Sequence, residues 1–344
     1  MRWSRLAAAT LAVTWLQPAP AATRPEVPFP VHQRKYAMGT VFDIVAYADS
    51  QQHASAAIDK AFQEIVRLDQ VMSNFKPDSD LSRLNRTAHS QVQNVAPDLY
   101  RVVAESLRYS RVSEGKFDIT VGPLTNLWKA ALRGGPVPSP EQIEKVRPCI
   151  GYGKIRLVPP QSIEFLSPCL QIDLGAIGKG YAVDRAVWVL RSQGILNALV
   201  DAGGSTIYGM GTPPREVGWT VALRDPSRRA SAEVRLHNTA VSTSEQSAPS
   251  LLGAKPVGHI IDPATGQPVM ARFAVSVLAP NATAADALST TLLLDGPEKG
   301  KRLVSKTSGT AAIWISPQGQ TITASSGPHI YLRNTNAIRA GGSR

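Results

Sequence analysis

The sequence predicts an α+β fold in which mixed sheets are layered with helices. Three observations point there. Segments of strand character and segments of helical periodicity follow one another without the strict alternation that a doubly wound sheet requires. The chain has 344 residues, 43% of them hydrophobic, enough for a large core. A stretch rich in Gly and Pro, residues 133–140, marks an irregular loop and the best candidate for a boundary between two sub-regions of one compact unit.

Taken in order, residues 1–22 read as a signal peptide. Arg2 and Arg5 give a positive start, and the apolar run from Leu6 to Leu16 is too short to span a bilayer. Ala19-Pro20-Ala21 then supplies a small-x-small cleavage site. No cysteine follows it, so the expectation is a soluble exported, periplasmic protein with no lipid anchor and no stable membrane span, an uncleaved N-terminal anchor being the alternative. Residues 36–47 are rich in Val, Ile, Phe and Tyr and read as a first strand. From Ser55, the residues Ile58, Ala61, Phe62, Ile65, Leu68 and Met72 recur at helical spacing. Pro97 opens a second helix, with Val102, Val103 and Leu107 on its buried side.

Beyond the Gly/Pro loop, residues 155–157 and 162–165 read as short strands. Residues 179–193 form a helix closed by Gly194, and 196–202 a strand running into Gly203-Gly204. Further strands are expected at 219–223, 232–236, 240–243 and 274–278. A helix over 282–294 precedes a last helix, a strand and a hairpin turning around 316–320. The single domain is expected over 23–330, with 331–344 a flexible tail.

Bulk composition removes several function classes. A mean hydropathy of −0.10 argues against an integral membrane protein. The formal charge of +11 could attract polyanions, yet the basic residues are spread along the chain and lack interleaved aromatics, so nucleic acid is not an expected partner. Cys149 and Cys169 are too few for a disulfide framework and lack zinc-ligand spacing; one disulfide suits an oxidising compartment.

Four stretches could carry chemistry. In Asp173-Leu-Gly-Ala-Ile-Gly-Lys-Gly-Tyr-Ala-Val-Asp184, glycines let a backbone approach a ligand closely, a helix start favours anions, and Lys179 adds a point charge suited to phosphate. The spacing matches neither a dinucleotide fingerprint nor a Walker loop, and alone it is equally a tight turn with a solvated lysine. On a helix, Asp286, Ser289 and Thr290 share one face and form a partial oxygen site for a hard cation. An Asp in a first turn with incidental hydroxyls accounts for the same pattern. His259, at the end of a strand, could act as a general base, although a lone His is usually structural. Asp262 before Pro263 reads as a turn residue. Asp118 either caps a turn or accepts hydrogen bonds from a ligand.

Together and in this order, these stretches resemble the ApbE family of FAD:protein FMN transferases. The landmarks are Met38-Gly39-Thr40, the segment from Met72 to Asn85, that from Phe117 to Trp128, the Asp173 to Asp184 loop, Gly203-Gly204, His259 to Pro263, and Ala284 to Thr290. The resemblance implies an ApbE-like, T-fold-related α+β protein that uses Mg²⁺ and FAD, the latter as substrate. It would transfer FMN to a Thr or Ser of an acceptor flavoprotein in an exported or membrane electron-transfer system, releasing AMP. By motif position, Met38, Phe75, Lys116, Phe117, Asp118, Asp173, Lys179 and Ile260 would contact FAD. The Ala176 carbonyl, Asp286 and Thr290, with Ser289 nearby, would hold the metal. His259, Asp286 and Lys179 would be the catalytic residues. The same residues would serve a Mg²⁺-dependent FAD pyrophosphatase that uses water. A non-catalytic periplasmic flavin-binding protein is a third reading, although storage alone needs no such metal site. Departures from the family pattern are Phe75 in place of Tyr, Gly175 and Gly178 in place of Ser and Ala, Asp201-Ala202 ahead of the double glycine, and residues 245–257.

Overall fold

The computed structural model describes residues 30–226, 229–246, 250–252, 255–270, 272–327 and 331–334. The expected signal peptide lies outside the described residues. So does the end of the expected tail, whose beginning, Leu332–Asn334, is a paired strand.

The architecture is α+β, as predicted. Its centre is an eight-stranded antiparallel sheet in the order β1-β2-β6-β7-β10-β13-β14-β15. Strands β1 (Pro30–Ala37) and β2 (Thr40–Tyr47) form a hairpin, where the sequence suggested one strand. The turn falls on Met38 and Gly39, with φ of 51° and 77°, the positive pair that a two-residue hairpin turn demands. Met is an unusual residue there, so no Asn-Gly or Asp-Gly signal announced the break.

Helix α1 (Gln51–Met72) follows, capped by the Ser50 hydroxyl, which accepts from the His53 amide at 3.1 Å. Helix α2 (Asp80–Thr87) and the short strand β3 (Gln93–Asn94) lead to α3 (Pro97–Val112). Helices α4 (Gly122–Leu132) and α5 (Pro140–Val146) flank residues 133–139. Strands β4 (Ile155–Val158) and β5 (Ser162–Phe165) join β3 in a small sheet. Near them, Cys149 and Cys169 are disulfide-bonded.

Helix α6 (Gly178–Ser192) then enters the layer beside α1. Strands β6 (Asn197–Ala202), β7 (Thr206–Met210), β8 (Trp219–Arg224), β9 (Ala230–Leu236) and β10 (Thr239–Ser244) follow. A short hairpin of β11 (Ser250–Leu252) and β12 (Lys255–Val257) precedes β13 (Ala274–Ala279). Helix α7 (Ala282–Ser305) is broken at Gly296, whose φ of 68° and ψ of 178° leave two arms, the second opening with Pro297. Strands β14 (Ala311–Ile315) and β15 (Thr321–Ser325) form the predicted last hairpin, and β16 (Leu332–Asn334) pairs with β9.

Period-two alternation decides what each face of the central sheet covers. Along β2, Phe42, Ile44 and Ala46 face the main core, which α1, α6 and α7 close with Ile58, Ile65, Leu68, Val183, Leu190 and Leu292. The opposite face presents Val45 and Tyr47, joined by Ile207, Val241 and Ile313, to a second sheet in the order β16-β9-β8 carrying Trp219, Val221 and Val234. At about 25 cal/mol per Å² of buried apolar surface, each large side chain so enclosed contributes roughly 2 kcal/mol. No helix among the described residues is long and apolar enough to cross a membrane.

Candidate active site

The site is built where α6 and α7 start side by side. Ahead of α6, the Asn85 side chain brackets the Ile172 backbone, donating to its carbonyl and accepting from its amide, both at 2.9 Å. The Asp173 amide donates to the Ile119 carbonyl at 2.7 Å. These bonds fix the segment from which the glycine loop departs; it is not a strand, and Gln171 forms only an isolated bridge to Val121. Asp173 Oδ1 accepts from the Gly175 amide at 2.8 Å, and its Oδ2 pairs with Lys129 Nζ at 3.0 Å.

At Gly180 the helices meet too closely for a side chain. A Cβ there would lie 2.3 Å from the Ala282 carbonyl oxygen and 2.7 Å from Asp286 Cβ. The Gly180 amide donates to Asp286 Oδ2 at 2.9 Å, so one of the unsatisfied donors of the α6 first turn is met by a side chain of α7. Asp184, which closes the glycine segment, returns the contact. Its Oδ1 accepts from the Ala282 amide at 2.7 Å, and its Oδ2 from the Thr283 amide at 2.8 Å and the Thr283 hydroxyl at 2.5 Å. Burial raises the Asp184 pKa, against the pull of these bonds. Each helix therefore caps the other.

Around Asp286 lies a nest of hydroxyls. Ser242 Oγ is 3.3 Å from Asp286 Oδ1 and 2.9 Å from Thr206 Oγ1. Ser244 Oγ lies 2.8 Å from Ser289 Oγ and 3.1 Å from Thr290 Oγ1. Asp286 is 5% exposed and forms no ion pair among the described residues. A buried carboxylate without a cation is costly unless something positive binds beside it. The donors are all hard oxygens, the set that Mg²⁺ prefers, and the described residues hold no cluster of His, Cys or acidic groups that would favour another metal. Ala176 lines the cleft above this set, one residue before the α6 cap, and no hydrogen bond to its carbonyl forms among the described residues.

A cleft of about 420 Å³ opens over this nest. Of the residues singled out from sequence, Phe75, Lys116, Phe117, Asp118, Asp173, Ala176, Lys179, His259, Ile260, Asp286 and Thr290 all line it. Met38 lines an adjoining hollow of about 110 Å³ that shares Phe75, Asp173 and Lys179. Ser289 does not reach either wall: it is fully buried, and its hydroxyl donates to the Asp286 carbonyl at 2.9 Å. It supports Asp286 and Thr290 from behind.

The individual environments refine these roles. Asp118 has both oxygens engaged within the protein: Oδ1 accepts from the Thr120 amide and hydroxyl, and Oδ2 from the Tyr152 amide. Burial raises its pKa. Asp262 accepts from the Ala264 amide at 2.9 Å, a turn bond as expected, and pairs with Lys116 at 3.0 Å. Lys179 forms no ion pair among the described residues, and its Nζ has only the Gly175 carbonyl at 3.5 Å, so its charge faces the cleft. His259 stands at the same wall; loss of water around it first, and Lys179 second, lower its pKa and keep the imidazole neutral at pH 7. Phe75 is 71% exposed, with Lys129 Nζ 5.2 Å from its ring centre.

Sequence reasoning missed several contributors. Lys129 and Thr125 come from α4, where Val121, Thr125 and Lys129, spaced by four, line the cleft. Reading residues 122–132 as a helix with Pro123 in its first turn would have exposed that stripe. Ser205 reaches the site from the turn between β6 and β7, and Thr243 and Ser244 from β10.

The model of the ApbE family matches residues 38–314. The FAD:protein FMN transferase of Escherichia coli (strain K12) is 33% identical over 264 residues, covering 74% of each chain. The structure of the flavin transferase ApbE from Vibrio cholerae superposes with a TM-score of 0.74 at 30% identity, covering 87% of this chain and 98% of its own. That of the Pseudomonas stutzeri flavinyl transferase ApbE, apo form, gives 0.75 at 27% identity over 87% and 96%.

Proposed function

The chain belongs to the ApbE family, and from that premise we propose that it is an exported, Mg²⁺-dependent FAD:protein FMN transferase acting on a flavoprotein of an exported or membrane electron-transfer system. The observation that carries the metal-dependent part is Asp286, buried without an ion-pair partner among the described residues and set within a shell of hydroxyls at the floor of the cleft. Asp286, Thr290 and the Ala176 carbonyl would hold the ion. When bound, Mg²⁺ supplies neutralisation of the charge that develops on the pyrophosphate oxygens.

The protein's own residues do the rest. The aromatic face of Phe75 offers stacking area for a flat ring, and Lys129 beneath it is held by Asp173. Lys179, with no ion-pair partner among the described residues, faces the phosphates. In the reaction, the acceptor Thr or Ser oxygen bonds to the FMN phosphorus and the bridging P–O bond breaks. AMP leaves with the bridging oxygen, and the hydroxyl proton passes to neutral His259. Stabilisation by Lys179 where charge builds is worth about 3 kcal/mol, by analogy with oxyanion-hole donors. Support for export comes from the leader-like residues 1–22 and from the Cys149–Cys169 disulfide, which suits an oxidising compartment.

The test is to incubate the mature protein with FAD, Mg²⁺ and a flavoprotein domain from an exported electron-transfer system, then seek covalent FMN on Thr or Ser by mass spectrometry. FMN on the acceptor, dependent on Mg²⁺, is the expected result. Free FMN and AMP with an unmodified acceptor would overturn transfer in favour of hydrolysis.

A further inference from the structure

A second cavity, of about 330 Å³, lies beside the cleft and is not accounted for by FAD or metal binding. Lys299 and Arg302 from the second arm of α7, and Lys306 at its end, line it at spacings of three and four. Lys116 joins them from the loop after α3 and lines both cavities, while Leu294 and Asp295, consecutive in α7, line one each. The two cavities are thus neighbours across a shared wall. Lys116 is held by Asp262, whereas Lys299, Arg302 and Lys306 form no ion pair among the described residues, although Glu114 and Asp295 line the same hollow.

Cations in a last helical turn also complement the helix dipole. That accounts for charge at the end of α7, but not for a concavity completed by a different element. Nor does the hollow suit a tightly held small anion: its cations are long, solvated side chains, and a helix C-terminus rather than an N-terminus faces it. Such a surface holds best an extended polyanion that touches several charges at once. A protein that presents a hydroxyl to the cleft must lay the residues flanking that hydroxyl over the neighbouring surface.

We infer that this basic hollow docks an acidic segment of the acceptor protein, adjacent to the hydroxyl that receives FMN. The inference rests on the transferase reading. Its occupant follows from charge complementarity and from continuity with the cleft.

The experiment uses the FAD-loaded full chain and two fluorescein-labelled threonine peptides, identical except that aspartates in one are asparagines in the other. Binding is followed by anisotropy at low and high salt, and FMN addition by mass spectrometry. One variant carries Lys299→Glu, Arg302→Glu and Lys306→Glu. A charge-matched control carries Lys35→Glu, Lys60→Glu and Lys145→Glu, at exposed positions that line none of the cavities. The aspartate peptide should bind about tenfold more tightly than its partner, with a preference that shrinks as salt rises. That preference should vanish in the hollow variant and survive in the control, with FAD affinity and melting temperature unchanged in both. Equal binding of the two peptides, or equal loss in both variants, would overturn the docking site whatever the transfer result. Hollow-dependent binding while FAD is merely hydrolysed counts against the transferase reading and leaves the acidic docking site standing.

Discussion

The amide of Gly180 donates to Asp286 Oδ2 at 2.9 Å, and this bond, with those Asp184 accepts from Ala282 and Thr283, ties the start of α6 to the start of α7 at the floor of the cleft. Because the partner is a backbone group, no side-chain substitution on α6 can replace it. Asp286 is placed by the crossing of the two helices, and the crossing is set by the missing Cβ of Gly180.

Gly180→Ala should therefore be severe. The new methyl meets backbone at 2.3 Å, which cannot move without displacing the first turn of α7. Overpacking of this kind costs about 1–3 kcal/mol, visible as a lower denaturant midpoint. FMN transfer should fall further than stability does, by about a hundredfold, since the displaced residue is Asp286 itself. A variant with unchanged turnover would separate the crossing from the chemistry.

Asp286→Asn tests the buried charge. The amide keeps an oxygen for the Gly180 bond and removes a buried carboxylate that has no ion-pair partner among the described residues, so without Mg²⁺ the variant should melt no lower than the parent. Added Mg²⁺ should stabilise the parent by about 2.7 kcal/mol at a hundredfold excess over Kd and leave the variant unmoved. Calorimetric melts with and without the ion decide the matter; a parent indifferent to Mg²⁺ counts against the metal assignment.

The pH profile should report His259. Its pKa lies below the ordinary imidazole value because burial and Lys179 both disfavour the charged ring. As the active form is neutral, kcat/KM should rise with pH through that lowered pKa and be flat by neutrality. His259→Gln should erase the acid limb while sparing FAD affinity. Lys179→Met should slow transfer and also move the limb to higher pH, because a nearby positive charge has gone. A limb that survives in His259→Gln belongs to another group.

The disulfide gives a prediction independent of catalysis. Cys149 and Cys169 are 20 residues apart, and closing a loop of that length contributes about 3 kcal/mol through the unfolded chain. Cys149→Ser with Cys169→Ser, or added reductant, should lower the unfolding free energy by that amount in urea titrations. Equal stability of the oxidised and reduced forms would show that the bond constrains little.

Much of this molecule was legible in its sequence, and the boundary is physical. Helix α1 announced itself because Ile58, Ile65 and Leu68 repeat a local period. The β1–β2 hairpin did not, since its turn uses Met38 where Asn or Asp would have been read. Strand β7 is buried at every position and so has no alternation to read, and helix α2, eight residues with Leu81 and Leu84 buried, is too short to repeat its period. At the site, Asp286, Thr290 and Lys179 were visible because each sits in a local pattern. Lys129 was not, since its partner Asp173 lies 44 residues away. Asp184 ended a recognised segment without a role, because the amides it caps come 98 and 99 residues later. Ser289 was placed too far forward by helical spacing alone, which gives a face but not the depth at which that face is covered.

The break at Gly296 separates two jobs along α7. The arm before it carries Asp286 and Thr290; the arm after it carries Lys299 and Arg302. A residue with non-helical backbone angles stands between them, so changes in the later arm need not propagate to the earlier one. The client list of such an enzyme could then be rewritten within residues 297–306 alone, by exchanging that arm for one of different charge while the reaction stays as it is.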